Sequence, residues 1–134
     1  MTAIRVLLVD DAAEFLASAR AFMSRLSNIE IVGIAMSGDA GLELAQQLEP
    51  DLVLMDLVMS GMNGLAATSL LKALPRPPRV VIVTLHNDPE YRLAAESARA
   101  DGFVAKSDFA TALPVVIDTL FAGSRSTDSA GLLS

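Results

Sequence analysis

Five short apolar runs recur along the chain, and their alternation with amphipathic stretches constrains the fold more than any other feature. The runs are "IRVLLV" (Ile4–Val9), "IEIVGIAM" (Ile29–Met36), "LVLMD" (Leu52–Asp56), "VVIVT" (Val80–Thr84) and "FVAK" (Phe103–Lys106). Each has the length of a strand rather than a helix, and most are rich in Val and Ile. The segments between them read as helices. Ala12–Leu26 puts Phe15, Leu16, Ala19, Phe22, Met23 and Leu26 on one helical face. Ser37-Gly38-Asp39 opens a second helix to Leu48, with Leu42, Ala45 and Leu48 turned inward and Pro50 ending it. "SGMNG" (Ser60–Gly64) is a turn-rich loop whose Asn63 is expected to cap a third helix to about Leu74. Asp88-Pro89 predicts an N-cap followed by proline at the first position of a fourth helix, which runs to about Arg99. The last helix carries Leu113, Val116, Ile117 and Leu120. A proline deep inside a helix costs about 3 kcal/mol, so this helix is expected to start between Ala110 and Leu113, with Pro114 in its first turn and Gly123 closing it.

Strict βα alternation with nearly continuous apolar strands implies a parallel sheet covered on both faces. The expected fold is α/β: a single flavodoxin-like (βα)5 domain over residues 1–123, with a five-stranded sheet in the common order 2-1-3-4-5. Residues 124–134 read as a polar tail or the start of a linker, which leaves no room for a DNA-binding domain after Gly123 within the chain. A length of 134 residues suits one domain, and 52% hydrophobic residues can fill its core. The absence of cysteine excludes disulfide and thiolate chemistry. The N-terminus lacks a signal-peptide pattern, and no stretch reaches the roughly 20 apolar residues of a membrane span, so a cytoplasmic location is expected. A net charge of −6 with scattered basic residues argues against direct nucleic-acid binding by this segment.

In such sheets ligands bind at the carboxyl ends of the strands. Those ends carry Asp10-Asp11, Asp56, Thr84 and Lys106, which lie on four neighbouring strands in the expected order. Asp56 stands out because Leu, Val and Met flank it on both sides, and burying an unpaired charge costs several kcal/mol. Two carboxylates about 4 Å apart repel by roughly 4 kcal/mol at an effective dielectric near 20. A hard divalent cation such as Mg²⁺ relieves that conflict. With a lysine charge and a hydroxyl beside it, the set suits phosphoryl chemistry, in which a carboxylate can be the nucleophile. Singly, each residue has a plainer reading. Asp11 with Glu14 resembles a capping box, and Thr84 and Lys106 are ordinary strand-end residues. The plainer readings lose force when all the groups meet at one sheet edge.

Taken in order, "VLLVDD", "PDLVLMDLVMSGMNG", "VVIVT" and "DGFVAK" resemble the receiver domain of two-component response regulators over about Ile4–Gly123. The resemblance implies that Asp56 accepts a phosphoryl group from a sensor histidine kinase or phosphotransfer protein. It implies that Asp10, Asp11, Asp56 and the backbone carbonyl of Val58 hold Mg²⁺, that Lys106 pairs with phosphoryl oxygens, and that Thr84 and Phe103 are the switch hydroxyl and switch aromatic. It also implies a readout and possible homodimer face on helix 4, strand 5 and helix 5. Such a protein catalyses only its own phosphorylation and dephosphorylation. The chain departs from the family pattern at Ser60, where proline is common, at Leu85, where a small residue is usual, and at Arg99, near a helix end that commonly carries glycine. Leu85 is expected to narrow access to Asp56, and His86 reads as a solvated loop residue. "VAKSD" (Val104–Asp108), without proline after the lysine, resembles receivers joined to helix-turn-helix effectors. Two alternatives remain at this point: an interaction module of the same fold that is not phosphorylated, and a Mg²⁺-dependent phosphatase. The latter needs a substrate cap that the chain does not evidently supply.

Overall fold

The computed structural model describes residues 3–59 and 63–122. Five parallel strands form one sheet in the order β2-β1-β3-β4-β5: β1 (Ile4–Val9), β2 (Ile29–Ala35), β3 (Leu52–Met55), β4 (Arg79–Thr84) and β5 (Gly102–Ala105). Five helices alternate with them: α1 (Ala13–Met23), α2 (Gly38–Leu48), α3 (Gly64–Lys72), α4 (Pro89–Ser97) and α5 (Phe109–Leu120). The expected fold class and strand order are both found.

Side-chain alternation along the strands divides the core into two layers. Val6, Leu8, Leu52, Leu54, Val81, Val83 and Val104 pack with α1 and α5. Leu7, Val9, Val53, Met55, Val80 and Ile82 pack with residues of α2, α3 and α4. Strand pairing is direct at the centre, where Val9 lies opposite Met55 and Met55 opposite Ile82. Gly41 lets α2 approach β1, since a Cβ there would meet the Val9 side chain.

Several expectations about element ends need correction. Pro114 lies well inside α5, which begins at Phe109 after a short 3₁₀ turn, Lys106–Asp108. Aromatic packing is the physical reason. The ring of Phe109 stands edge-on to Phe15 at 5.2 Å and to Phe22 at 5.8 Å between centroids, and Phe109, Leu113 and Ile117 share one buried face. That burial, about 1.5–3 kcal/mol per large side chain, offsets the proline. Asp88 holds the N-cap position of α4 with Pro89 following, but its side chain makes no capping bond. Asn63 does cap α3, its Oδ1 accepting from Ala66 N–H at 2.8 Å. Helix α1 stops at Met23 rather than Leu26, and Ala12 rather than Asp11 holds its N-cap position. The expected closure at Gly123, the tail 124–134 and Ser60 lie outside the described residues.

Arg99 adopts φ 70° just past α4. Arg99 N–H donates to Glu96 C=O and Ala100 N–H to Ala95 C=O, a Schellman closure that favours glycine at this position. At the opposite edge from the strand ends, Asp101 accepts from Lys72 Nζ at 2.8 Å, from Val80 N–H at 2.8 Å and from Arg79 at 3.3 Å. This ties α3, β4 and the start of β5 together. Burial pushes the Asp101 carboxyl up, but the Lys72 and Val80 hydrogen bonds, the Lys72 charge and the Arg79 bond outweigh it and leave it below the usual carboxylate value.

Two stability predictions come from these contacts. Arg99→Gly removes the left-handed cost of a side-chain-bearing residue and should stabilise the domain by about 1 kcal/mol in urea unfolding. Asp101→Asn should destabilise it by about 2 kcal/mol at neutral pH. Because the folded-state value is depressed, the wild-type advantage is present above the unfolded carboxylate range. It should fade as pH falls through the folded value.

Candidate functional site

The carboxyl ends of β1, β3 and β5 carry one side-chain row past the last paired residues. Asp10 follows Leu8, Asp56 follows Leu54 and Lys106 follows Val104, all in the row that faces α1 and α5. Backbone pairing extends into the site. Asp56 N–H donates to Val9 C=O at 2.9 Å, and Asp10 N–H to Ala35 C=O at 3.0 Å. Asp10 and Asp56 are therefore fixed by the sheet rather than by a loop, and both are buried. Asp11 is exposed beside them. One carboxylate oxygen from each of Asp10, Asp11 and Asp56 lies within 4.8 Å of the others.

Lys106 enters this acidic group from the end of β5. Its Nζ is 2.8 Å from Asp10 Oδ2 and 3.7 Å from Asp56 Oδ2, and its side chain is only 8% exposed. Asp56 Oδ1 accepts from Leu57 N–H at 2.9 Å, and Asp10 Oδ1 from Ala12 N–H at 2.8 Å. Burial and the neighbouring Asp10 charge push the Asp56 carboxyl above its ordinary value, Lys106 and the Leu57 N–H pull against them, and Asp11 adds to the rise. A single lysine does not balance three carboxylates. The hard oxygen donors, clustered and in excess of positive charge, fit a divalent cation of the Mg²⁺ kind.

The other expected residues occupy positions around this group. Thr84 is fully buried at the end of β4, in the strand row opposite to that of Asp56, and its Oγ1 accepts from His86 N–H at 3.2 Å. Phe103 is half-buried against the layer of α2, α3 and α4, and the Arg92 guanidinium of α4 lies 4.6 Å from its ring centroid. Arg92 also donates to Asn87 Oδ1 at 2.9 Å, so it joins the loop after β4 to β5. Val58 lies in the loop after Asp56 and is 55% exposed. Leu85 is 76% exposed, so most of its surface meets solvent rather than protein. His86 is exposed, with its ring 5.1 Å from Tyr91.

Sequence reading missed two contributors. Gly64 starts α3 directly against Asp56: its N–H donates to Leu57 C=O at 2.9 Å, and a Cβ would collide with the Asp56 carbonyl oxygen. The position was legible as a turn glycine, but the close approach is a tertiary fact. Phe15, read as a core residue of α1, places its ring 4.5 Å from Lys106 Nζ.

A profile of the response regulator receiver domain matches residues 6–117. The chain belongs to the receiver domain family of response regulators. It is 37% identical over 101 residues to the nitrate/nitrite response regulator protein NarL of Escherichia coli, covering 75% of this chain and 47% of that protein. It is 32% identical over 126 residues to the transcriptional regulatory protein LiaR of Bacillus subtilis, covering 94% of this chain and 60% of the relative. The chain thus spans about half the length of the curated relatives it matches. Among solved structures, a LuxR-family two-component response regulator from an Aurantimonas species superposes with a TM-score of 0.84 at 31% identity, over 92% of this chain and 87% of that one. The signal receiver domain of a putative response regulator NarL from Mycobacterium tuberculosis gives a TM-score of 0.82 at 26% identity, over 93% and 98% of the two chains. Response regulators of this kind are signalling proteins rather than classical enzymes. Among the described residues, no helix is long and apolar enough to cross a membrane.

Asp56→Asn should raise the melting temperature in metal-free buffer at neutral pH, because it removes a buried charge that two other carboxylates repel. The folded-state value is raised, so the wild type regains stability as pH falls. The gain of the variant should therefore shrink below the carboxylate range in a pH series of thermal melts.

Proposed function

We propose that the chain is a phosphorylation-dependent switch and that Asp56 is the residue phosphorylated. The observation that carries this reading is the buried Asp56 carboxylate at the sheet mouth, 3.7 Å from the ammonium of a nearly buried Lys106 and grouped with Asp10 and Asp11. The phosphodonor is the phosphohistidine of a sensor kinase or phosphotransfer protein. An Asp56 oxygen attacks phosphorus in line, the new P–O bond forms as the P–N bond breaks, and the imidazole leaves with the electron pair. Lys106 moves its charge toward the phosphoryl oxygens as they arrive, and Leu57 N–H holds the other Asp56 oxygen. Asp10, Asp11, Asp56 and the Val58 carbonyl would hold Mg²⁺, which when bound neutralises the carboxylates and phosphoryl oxygens.

Thr84 and Phe103 are the residues we assign to the switch. The Thr84 hydroxyl tethers the loop after β4 through His86, so a new bond from Thr84 to a phosphoryl oxygen would pull on that loop. Phe103 lies under Arg92 of α4, which has only one buried residue, Ala95, and is the helix most easily shifted. A change in the equilibrium between two arrangements of α4, β5 and α5 would then be read by an output partner or by a second copy. The receiver domain proper is taken as residues 1–123, with 124–134 leading to whatever follows in a longer protein. Similarity to LiaR, a transcriptional regulatory protein, favours a transcriptional output. The exposure of Leu85 disfavours the alternative of a blocked, unphosphorylated module.

Incubation with acetyl phosphate and Mg²⁺, followed by intact mass measurement, tests the reading. Wild type and Leu85→Ala should both gain one phosphoryl group at similar rates, and a chelator should abolish the gain. Asp56→Asn should gain none. A wild type unlabelled by acetyl phosphate and by any kinase would sink the switch, and an equally labelled Asp56→Asn would sink the site.

A further inference from the structure

The ammonium of Lys106 has a third neighbour besides the two carboxylates. Asp10 Oδ2 lies 2.8 Å from Nζ and Asp56 Oδ2 lies 3.7 Å away, while the Phe15 ring centroid lies 4.5 Å from the same atom. The Phe15 ring is itself held in place. Phe109 meets it at 5.2 Å with the planes at 79°, and Phe109 in turn meets Phe22 at 5.8 Å. Phe15 is only half-buried, whereas Leu16, Ala19 and Met23 of the same helix are fully covered. Its position near the start of α1 puts it beside the sheet mouth rather than deep under the sheet.

We propose that Phe15 is a positioning residue for phosphoryl transfer, acting through Lys106. The inference rests on the assignment of Asp56 and Lys106 made above. A carboxylate holds an ammonium along lone-pair directions. The negative face of an aromatic ring attracts it without a preferred direction in the ring plane. Lys106 can therefore swing from Asp10 toward an arriving phosphoryl oxygen while keeping its contact with the ring. The ring also keeps water from the ammonium on that side, which strengthens its attraction to the phosphoryl charge. An aliphatic side chain would fill the same space without attracting the cation, and Lys106 would stay drawn to Asp10. The row-parity of the strands makes this contact possible, because Lys106 projects on the face that α1 covers.

Two measurements test it. In the metal-free wild type, the ε-methylene proton resonances of Lys106 should lie clearly upfield of those of a lysine away from any ring. Phe15→Tyr should keep that shift and Phe15→Leu should lose it. In acetyl phosphate labelling with Mg²⁺, Phe15→Leu should be slower by about tenfold, the scale of a lost desolvated cation–π contact, and Phe15→Tyr should label like wild type. In a Lys106→Met background, Phe15→Leu should make no further difference. Should Phe15→Leu not fold, Phe15→Met takes its place, and the wild-type resonance position still decides the contact. Unshifted wild-type resonances, or an equal loss in both backgrounds, overturn the inference. A labelled wild type with an undiminished Phe15→Leu overturns it while leaving the phosphorylation reading intact. An unlabelled wild type overturns that reading and the inference with it.

Discussion

Everything at the mouth of this sheet depends on how one ammonium is shared among carboxylates. Asp10, Asp11 and Asp56 bring oxygens within 4.8 Å of one another, and Lys106 alone among them carries positive charge. Its shorter contact is to Asp10 rather than to Asp56. The Asp56 carboxylate is thus only partly compensated, and burial and Asp10 raise its pKa despite the lysine. An arrangement this unbalanced stabilises the fold poorly but suits arriving cations and phosphoryl groups. Strand order makes it feasible. Adjacent strands lie about 4.8 Å apart, so β5 stands roughly 10 Å from β3 across β4. A long, flexible cationic side chain is needed to cross that distance. The 3₁₀ turn that begins at Lys106 places the residue at the end of β5 where its side chain can fold back over the sheet mouth.

The packing around the site differs between its two sides. Asp10 and Asp56 are fixed by sheet hydrogen bonds, and Gly64 presses α3 against the Asp56 carbonyl. On the α1 and α5 side, the Phe15, Phe109 and Phe22 rings form a continuous edge-to-face series leading from Lys106 into the core. On the other side, the loop after β4 is held by Thr84 to His86, by the two Arg92 hydrogen bonds to Asn87 and by the His86 ring against Tyr91, and Arg92 in turn lies on Phe103. Few buried apolar contacts and a handful of polar ones mark a region of low local stability.

Two residues expected to depart from the family pattern have plain structural outcomes. Arg99 adopts the left-handed conformation that favours glycine after a helix, with arginine in place. Leu85, expected to narrow access to Asp56, projects into solvent. The first departure is absorbed as local backbone cost. The second leaves an apolar side chain exposed at the end of β4. Val58 and Met36, also exposed, lie just beyond the ends of β3 and β2.

The sequence alone determined the alternation of strands and helices and, through it, a parallel sheet, because buried parallel strands and amphipathic helices leave distinct hydrophobic patterns; the order 2-1-3-4-5 is expected only as a common solution for such a chain, and the packed sheet decided it. It also determined which acids and which lysine stand at strand ends, since those positions follow directly from where the apolar runs stop. Tertiary structure decided the rest. Pro114 sits inside α5 because Phe109 reaches the Phe15 and Phe22 rings, contacts separated by many residues in the chain. Ala12 rather than Asp11 takes the N-cap position of α1, and the Asp10 carboxylate accepts from Ala12 N–H. Phe15 meets Lys106 because alternate strand residues face opposite layers, and that parity becomes a contact only when α1 and β5 are brought to the same face. Local pattern specifies elements and their ends; pairwise distances between remote side chains exist only after the layers have packed.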